Sequence, residues 1–353
     1  MKNFVIPKKS ASLILVRSFR NPLQNCFKFN YEILLLKRVP TGSFSNMFAF
    51  PGGLYSADKD YRSDFQSNKL EGLRNTACRE TLEETGLFLL PNAHSIRNSV
   101  QELMEIRQEF KEKGLDWYSF NHLSARIQYA KKEVVRPFMR LITIPLLKAR
   151  YDTQFFLHRV QNQEIFNWRN FFTGKSLDSA LENWDDINFD KNEFSEMIWM
   201  DPLTAIKKYY EEGFGLAAPQ YILLNIMSHF PEIEKLEEFL DKPRQSDFPM
   251  MLCLRNIEDV DKNRKGYKYV AIGNCDEKYP IDIVNKEKDE ELKQELITSY
   301  RDSMNSGNRL RIFFKEMHQM FEKDYDVDIS LQGNNLMSFL SSYKEINKRY
   351  NQI

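Results

Sequence analysis

The sequence predicts an α+β fold, and three observations carry that expectation. Short apolar runs at Ala11–Arg17 and Tyr31–Leu36 have the length and composition of strands. A helical pattern follows them from Glu71 to Thr85. Strands and helices then mix without the regular β-α-β alternation that a doubly wound sheet requires.

Each element has a local cause. Pro40-Thr41-Gly42-Ser43 is turn-rich, and Phe48-Ala49-Phe50 is a short strand stopped by Pro51-Gly52-Gly53. In the 71–85 helix Leu70, Leu73, Ala77 and Leu82 form an imperfect apolar stripe, and Gly86 suits the position just past the last turn. Leu87–Leu90 reads as a strand. Val100, Leu103, Ile106 and Phe110 recur at helical spacing within 96–130. Thr153–Val160 and Glu196–Met200 read as strands. Asp201 is placed as an N-cap with Pro202 at the first helical position, and Pro219 opens another helix. Beyond Pro231 the charge rises. Strands are expected at Met250–Leu254 and Tyr267–Ile272, and an amphipathic helix over Arg309–Lys323. The chain thus divides into a domain over 10–230 and an α/β extension over 231–353.

Bulk properties exclude several classes. The 353 residues are 42% hydrophobic and 28% charged, enough for a real core. Lys plus Arg equals Asp plus Glu at 50 each, so no generic nucleic-acid or anionic-membrane binder is expected. Cys26, Cys78, Cys253 and Cys275 form no C-x-x-C pair. Neither a zinc site nor a disulfide framework follows, and a reducing compartment is expected. No apolar run approaches the roughly 18 residues of a membrane span. The first residues lack a signal peptide's apolar segment, and the last three are not the peroxisomal address.

The chemistry-bearing segment is Arg79-Glu80-Thr81-Leu82-Glu83-Glu84-Thr85-Gly86-Leu87. Glu80, Glu83 and Glu84 are spaced i, i+3, i+4 and share one helix face. The repulsion costs a helix only roughly 0.2–0.5 kcal/mol per pair, so a solvated acidic face is one reading. The other is a cluster of oxygen ligands suited to Mg²⁺ or Mn²⁺.

With Gly52-Gly53 upstream and Glu71 eight residues before Arg79, the segment resembles the Nudix box, G-x5-E-x7-R-E-U-x-E-E-x-G-U. From Glu71 to Leu87 the family's spacing is kept. Thr81 departs where an aliphatic residue is usual, and Leu54–Leu70 contains an insertion. An interrupted box with Ser56-Ala57-Asp58-Lys59-Asp60 after the glycines is similar to the acyl-coenzyme A diphosphatase branch. Arg150–Leu157, Trp199-Met200-Asp201-Pro202 and Gly215–Gln220 also resemble that branch, so the likeness covers about residues 10 to 230.

The resemblance implies a Nudix fold: a mixed β-sheet sandwiched between helices, with helical insertions and a C-terminal extension. It implies Glu80 and Glu84 as main metal ligands, with Glu83 sharing the cluster and the Gly52–Gly53 backbone beside the metal. Arg79 orients a box carboxylate, and Glu71 is an anchor or an outer ligand. Glu193, six residues before Trp199, is either the general base or a surface glutamate; Glu196 and Glu164 are weaker candidates. Lys37 and Arg38 are candidate phosphate contacts. The stretch from Phe166 to Phe172 either stacks on a base or packs, and His158 is a core or face residue. The insertion is expected to loop outward, leaving Gly53 near Glu71 and Asp58, Asp60 and Asp64 facing solvent.

The implied activity is metal-dependent diphosphate hydrolysis, with coenzyme A or acyl-coenzyme A the substrate. ADP-ribose, NADH or a capped RNA end is the alternative substrate, and a non-catalytic nucleotide-binding module the alternative class. No membrane or stable nucleic-acid partner is expected. The family resemblance alone suggests a peroxisome or mitochondrion.

Overall fold

The computed structural model describes residues 5–18, 29–41, 44–60, 69–87, 135–143, 149–160, 164–166, 181–183, 187, 189–241, 250–260, 268–273, 279–306, 309–314, 325–332 and 336–341. The helices expected within 96–130, Asp64 and the residues 167–172 lie outside these.

The chain begins with β1 (Lys8–Ser18) and β2 (Tyr31–Arg38), continues with β3 (Met47–Ala49) and β4 (Gly52–Leu54), and enters α1 (Ala57–Asp60) and α2 (Lys69–Thr85). Then come β5 (Val135–Ile142), β6 (Tyr151–Val160), the separate pair β7 (Glu164–Phe166) and β8 (Leu181–Asn183), and β9 (Phe194–Met200). Next are α3 (Pro202–Glu211), β10 (Gly215–Leu216), α4 (Ala218–Met227) and α5 (Ile233–Asp241). The remainder holds β11 (Met250–Asn256), α6 (Ile257–Val260), β12 (Tyr269–Gly273), a 3₁₀ turn (Ile281–Lys286), α7 (Glu290–Ser306), β13 (Arg309–Phe314), β14 (Tyr325–Gln332) and β15 (Leu336–Ser341).

Among the described residues one mixed sheet runs β10-β3-β2-β1-β6-β5-β11-β12-β13-β14-β15, with β4 beside β1 and β9 beside β2. Strand β1 is buried on both faces because helices cover both. Ala11, Leu13 and Leu15 meet Ala77 and Cys78 of α2. Ile14 and Val16 point the other way, into a core built with Leu203 and Ile206 of α3, Ile222 and Ile226 of α4, and Leu236 and Leu240 of α5. The strand period of two sends alternate residues to opposite layers. A sheet sandwiched between helices results, and the weak polarity alternation of β1 follows from that double burial.

One irregularity in this sheet positions everything downstream. Strands β1 and β2 pair only at Val16↔Ile33, Arg17↔Glu32 and Ser18↔Tyr31. They then part. Strand β4 takes over the edge of β1 at Ser10–Ser12, and β3 pairs β2 at Leu36 and Lys37. The chain from Met47 to Leu54 therefore fills the gap between two diverging strands and carries Gly52 and Gly53 into the sheet beside α2.

The C-terminal residues continue this sheet. Strand β11 pairs parallel with β5 at Met250↔Leu141 and Met251↔Ile142, and β11 to β15 form an antiparallel meander. Two charge networks lock the join. Arg150 and Glu287 make a buried pair at 3.1 Å, and Arg150 also donates to the Val5 and Thr143 carbonyls. Arg140 donates to both oxygens of Asp152 and to Glu295 of α7. Burial would raise the Asp152 carboxyl, but Arg140 and Lys9 hold it below the ordinary carboxylate range.

One expectation needs correction. Arg309–Phe314 is a strand and not the start of a helix. Leu310, Ile312 and Phe314 alternate at period two, and pairing with β12 and β14 on both edges satisfies the backbone. Strand β5 carries Pro137, an unfavourable residue inside a sheet, and a register shift at Pro137/Met139 accommodates it. Helix α5, at the start of the presumed extension, packs its Ile233, Leu236 and Leu240 into the first core. No described helix is long and apolar enough to cross a membrane.

The expected N-cap at Asp201 is present. Its carboxylate accepts from the Thr204 amide at 2.9 Å and the Thr204 hydroxyl at 2.6 Å. Asp201→Ala should lower the unfolding free energy by about 1 kcal/mol. A urea titration with unchanged stability would show that the cap does not hold α3 in place.

Candidate active site

The site forms where the Gly52–Gly53 strand meets the face of α2. Ser12 and the Leu13 amide both donate to the Pro51 carbonyl, at 2.8 and 2.9 Å, pinning the entry to β4. Gly52 and Gly53 then lie opposite Ser12 and Ala11. A side chain at Gly52 would collide with the Ala11 carbonyl and the Ser12 backbone, and one at Gly53 with the Glu80 carboxyl group. Gly52 is thus required by close approach to a strand, and Gly53 lets the Glu80 carboxyl group approach the backbone.

Glu84 is buried and accepts from the Gly52 amide at 2.9 Å. Burial pushes its carboxyl well above the ordinary value; the Gly52 hydrogen bond opposes this, and the charges of Glu80 and Glu193 add to it. Glu80 is raised for the same leading reason, burial, against the pull of Arg79 and with the push of Glu83. Glu83 is different. It is half-exposed and turned to Arg79 at 3.0 Å and Lys59 at 3.7 Å.

Arg79 is buried and its guanidinium is fully engaged. Nε and Nη2 donate to the two oxygens of Asp60 at 2.7 and 3.0 Å, and Nη2 also donates to the Leu54 carbonyl at 3.0 Å. Nη1 meets Glu83 at 3.0 Å and Glu80 at 2.9 Å. Burial alone would lower its pKa, but the Asp60 hydrogen bonds and the surrounding carboxylates hold it above the ordinary value.

Asp60 corrects an expectation. It is fully buried, not solvent-facing, and also accepts from the Ser56 amide and the Thr76 hydroxyl at 2.9 and 3.0 Å. The insertion therefore bends its α1 helix back onto α2 instead of looping wholly outward. Asp58 and Asp60 sit two residues apart with similar chemistry, so only packing reveals which one turns inward. Tyr55 lies against Gly72, which keeps β4 beside the start of α2.

The other candidates occupy the rim. Glu193 is exposed and lies 3.8 Å from Arg38. Its turn is tied to the end of α2, where the Asp190 amide donates to the Glu84 carbonyl at 2.7 Å. Lys37 faces Glu196 at 3.3 Å and stands over the Phe48 ring, and Arg38 over the Phe194 ring. Glu71 pairs with Arg74, whose Nε donates to the Val135 carbonyl at 3.0 Å. His158 is buried in β6. Thr81, the departure from the aliphatic pattern, is buried with its hydroxyl donating to the Ala77 carbonyl at 2.7 Å. Burial pushes the Cys78 thiol up to about 12, so it is no nucleophile at neutral pH.

Among the described residues no three Asp, Glu, His or Cys side chains converge as a ready metal cage. The donor chemistry of Glu80 and Glu84 still suits a hard divalent ion. Both are carboxylates, Glu84 buried and Glu80 partly so, and the charge of Glu80 adds to the penalty on Glu84. Glu80 and Glu84 would hold the ion; Glu83 is half-exposed and shares Arg79 Nη1 with Glu80.

Two outcomes test this geometry. Gly53→Ala should displace the Glu80 side chain, visible as a changed Glu80 conformation in a crystal structure; an unmoved carboxylate would contradict the close approach. The raised Glu84 pKa has a sign. A carboxyl raised on folding contributes stability below its unfolded value of 4.5 and loses it as pH climbs through the folded value. Metal-free protein should therefore lose Tm from pH 4.5 upward, and Glu84→Gln should flatten that loss. Parallel Tm–pH curves for the two proteins would refute the assignment.

Comparison with known proteins adds a relative. No protein-family model matches the chain. The acyl-coenzyme A diphosphatase NUDT19 of Xenopus laevis is 24% identical over 249 residues, covering 60% of this chain. This chain spans 63% of that protein's length. A NUDIX hydrolase from Alicyclobacillus acidocaldarius overlaps with a TM-score of 0.44 at 22% identity, covering 66% of this chain and 96% of that one. The NUDIX domain of Shewanella oneidensis NrtR, complexed with ADP ribose, overlaps at 0.30 and 10% identity, covering 67% and 92%. At these TM-scores the overlaps add nothing to the assignment. The curated relative bears out the resemblance to the acyl-coenzyme A diphosphatases over the matched residues.

Proposed function

We propose that this chain is a divalent-metal-dependent hydrolase of a diphosphate linkage. Its substrate is coenzyme A or an acyl-coenzyme A, and its products are 3′,5′-ADP and (acyl-)4′-phosphopantetheine. The carrying observation is the gathering of two carboxylates, the partly buried Glu80 and the buried Glu84, against the Gly52–Gly53 strand. The curated relative, whose name is acyl-coenzyme A diphosphatase, supports the substrate class.

A bound Mg²⁺ or Mn²⁺ supplies charge neutralisation of the phosphates and a lowered pKa for an attacking water. The remaining roles fall to the protein. Glu80 and Glu84 hold the ion, and the Gly52 amide keeps the Glu84 carboxylate oriented. Arg79 fixes Glu80 through its 2.9 Å contact. Glu193 serves as general base, on a turn tied to the α2 end and exposed enough to meet a water. Lys37 and Arg38 contact the diphosphate. Their present partners Glu196 and Glu193 are exposed, and exposed pairs are weak enough, about 0–1 kcal/mol, to exchange for a phosphate.

The test is purified protein with Mg²⁺ or Mn²⁺, a panel of diphosphates, and product identification by mass spectrometry. Coenzyme A should be cut at least about ten-fold better in kcat/KM than dephospho-coenzyme A, since a hydrogen bond to a charged group contributes roughly 1.5–3 kcal/mol. Glu84→Gln should reduce turnover by two or more orders of magnitude, about 3 kcal/mol. ADP-ribose as best substrate would overturn the coenzyme A assignment and leave the hydrolase. No cleavage of any diphosphate would favour a non-catalytic nucleotide-binding module.

A further inference from the structure

Asp60 comes from the segment inserted into the box, yet it makes the most extensive contact with the box arginine. Its two oxygens take Arg79 Nε and Nη2 in a bidentate fork, at 2.7 and 3.0 Å. Such a fork fixes the plane of a guanidinium as well as its position. With that plane set, the remaining nitrogen, Nη1, is the one directed at Glu80 and Glu83, at 2.9 and 3.0 Å. Asp60 is itself over-determined. It is fully buried, and the Ser56 amide and the Thr76 hydroxyl donate to it at 2.9 and 3.0 Å. The Asn75 side chain grips its carbonyl at 3.2 Å. A buried carboxylate costs several kcal/mol unless charged and hydrogen-bonding partners meet it, and here both are present.

We infer that Asp60 is a positioning residue for the metal site: it orients Arg79, which in turn holds Glu80 in the attitude that presents it to a divalent ion. This rests on the hydrolase reading above. The insertion, on this account, is a working part of the box. It replaces the freedom of a single-point Arg–Glu contact with a three-member chain, Asp60–Arg79–Glu80. The exposed neighbour Lys59 meets Glu83 at 3.7 Å, so the insertion also touches the second carboxylate that shares Arg79 Nη1.

The experiment measures Mn²⁺ binding to the metal-free full chain by calorimetry, so that no substrate need be known. Asp60→Asn keeps the shape and removes the charge that holds the fork. It should weaken Mn²⁺ binding by about ten-fold or more, the usual consequence of removing a group that orients a metal ligand. Asp201→Ala, a cap removal far along the chain, serves as the control: it lowers stability and should leave Mn²⁺ affinity unchanged. If Asp60→Asn does not fold, Thr76→Val removes one donor to Asp60 with little change of volume, and a weakening of Mn²⁺ binding, smaller than ten-fold, is then expected. With coenzyme A as probe, Asp60→Asn at saturating Mn²⁺ should recover much of its kcat, whereas Glu84→Gln should not. Normal Mn²⁺ affinity in a folded Asp60→Asn protein, or in Thr76→Val where that variant stands in, would overturn the role of Asp60 and leave the hydrolase reading intact. Wild-type protein that binds no Mn²⁺ would overturn both.

Discussion

A buried guanidinium must find an acceptor for each of its N–H groups, and Arg79 meets that demand by drawing separate stretches of chain to one point. Leu54 brings the end of the glycine strand, Asp60 the inserted segment, and Glu80 and Glu83 the helix itself. The net contribution of such a buried cluster to stability is small, because desolvation offsets most of the attraction. Its consequence is geometric. Removing Asp60 would leave the buried Arg79 without the partner that meets it on two nitrogens, so the arrangement depends most on that pair.

The second constraint is repulsion. Glu80 and Glu84 share one helix face beside the Gly52–Gly53 strand, Glu84 buried and Glu80 partly so. A polypeptide gains nothing by burying two like charges beside each other. On the function proposed above, the pair would take up a divalent cation. The divergence of β1 from β2 is what makes room for the covering strand. Had those strands stayed paired, β4 would have no edge of β1 to occupy.

The C-terminal region is attached by means unlike those at the site. Arg150 and Glu287 are both fully buried and satisfy each other, with backbone carbonyls taking the remaining donors. A third apolar core, from Ile142 and Met251 to Val284 and Leu296, surrounds the join. The sheet crosses from β5 to β11 without a break in hydrogen bonding. Past Pro231, Ile233, Leu236 and Leu240 of α5 belong to the first core.

Local signals account for what was legible in the sequence. The apolar strands β1, β2, β6 and β9, the box helix with Gly86 behind it, and the Asp201 cap with Pro202 each depend on residues a few positions apart. The spacing of Glu80, Glu83 and Glu84 gave their common face for the same reason, since helix geometry is local. The elements that escaped are those whose reason is distant. Strand β5 contains a proline and is held by β6 and β11. Strand β13 carries a pattern that a helix also tolerates, and neighbours on both edges decide its state. Within the site, Asp58 and Asp60 are equivalent by composition, and only the arrival of Arg79 and Thr76 makes one of them a buried partner. Glu83 shares a helix face with its neighbours, yet it stands half-exposed, paired with Arg79 and Lys59. Sequence alone determined which residue types stand together on one helix and which glycines precede them. Tertiary structure alone decided which carboxylates face each other, because burial and charge pairing depend on groups that the chain brings from far away.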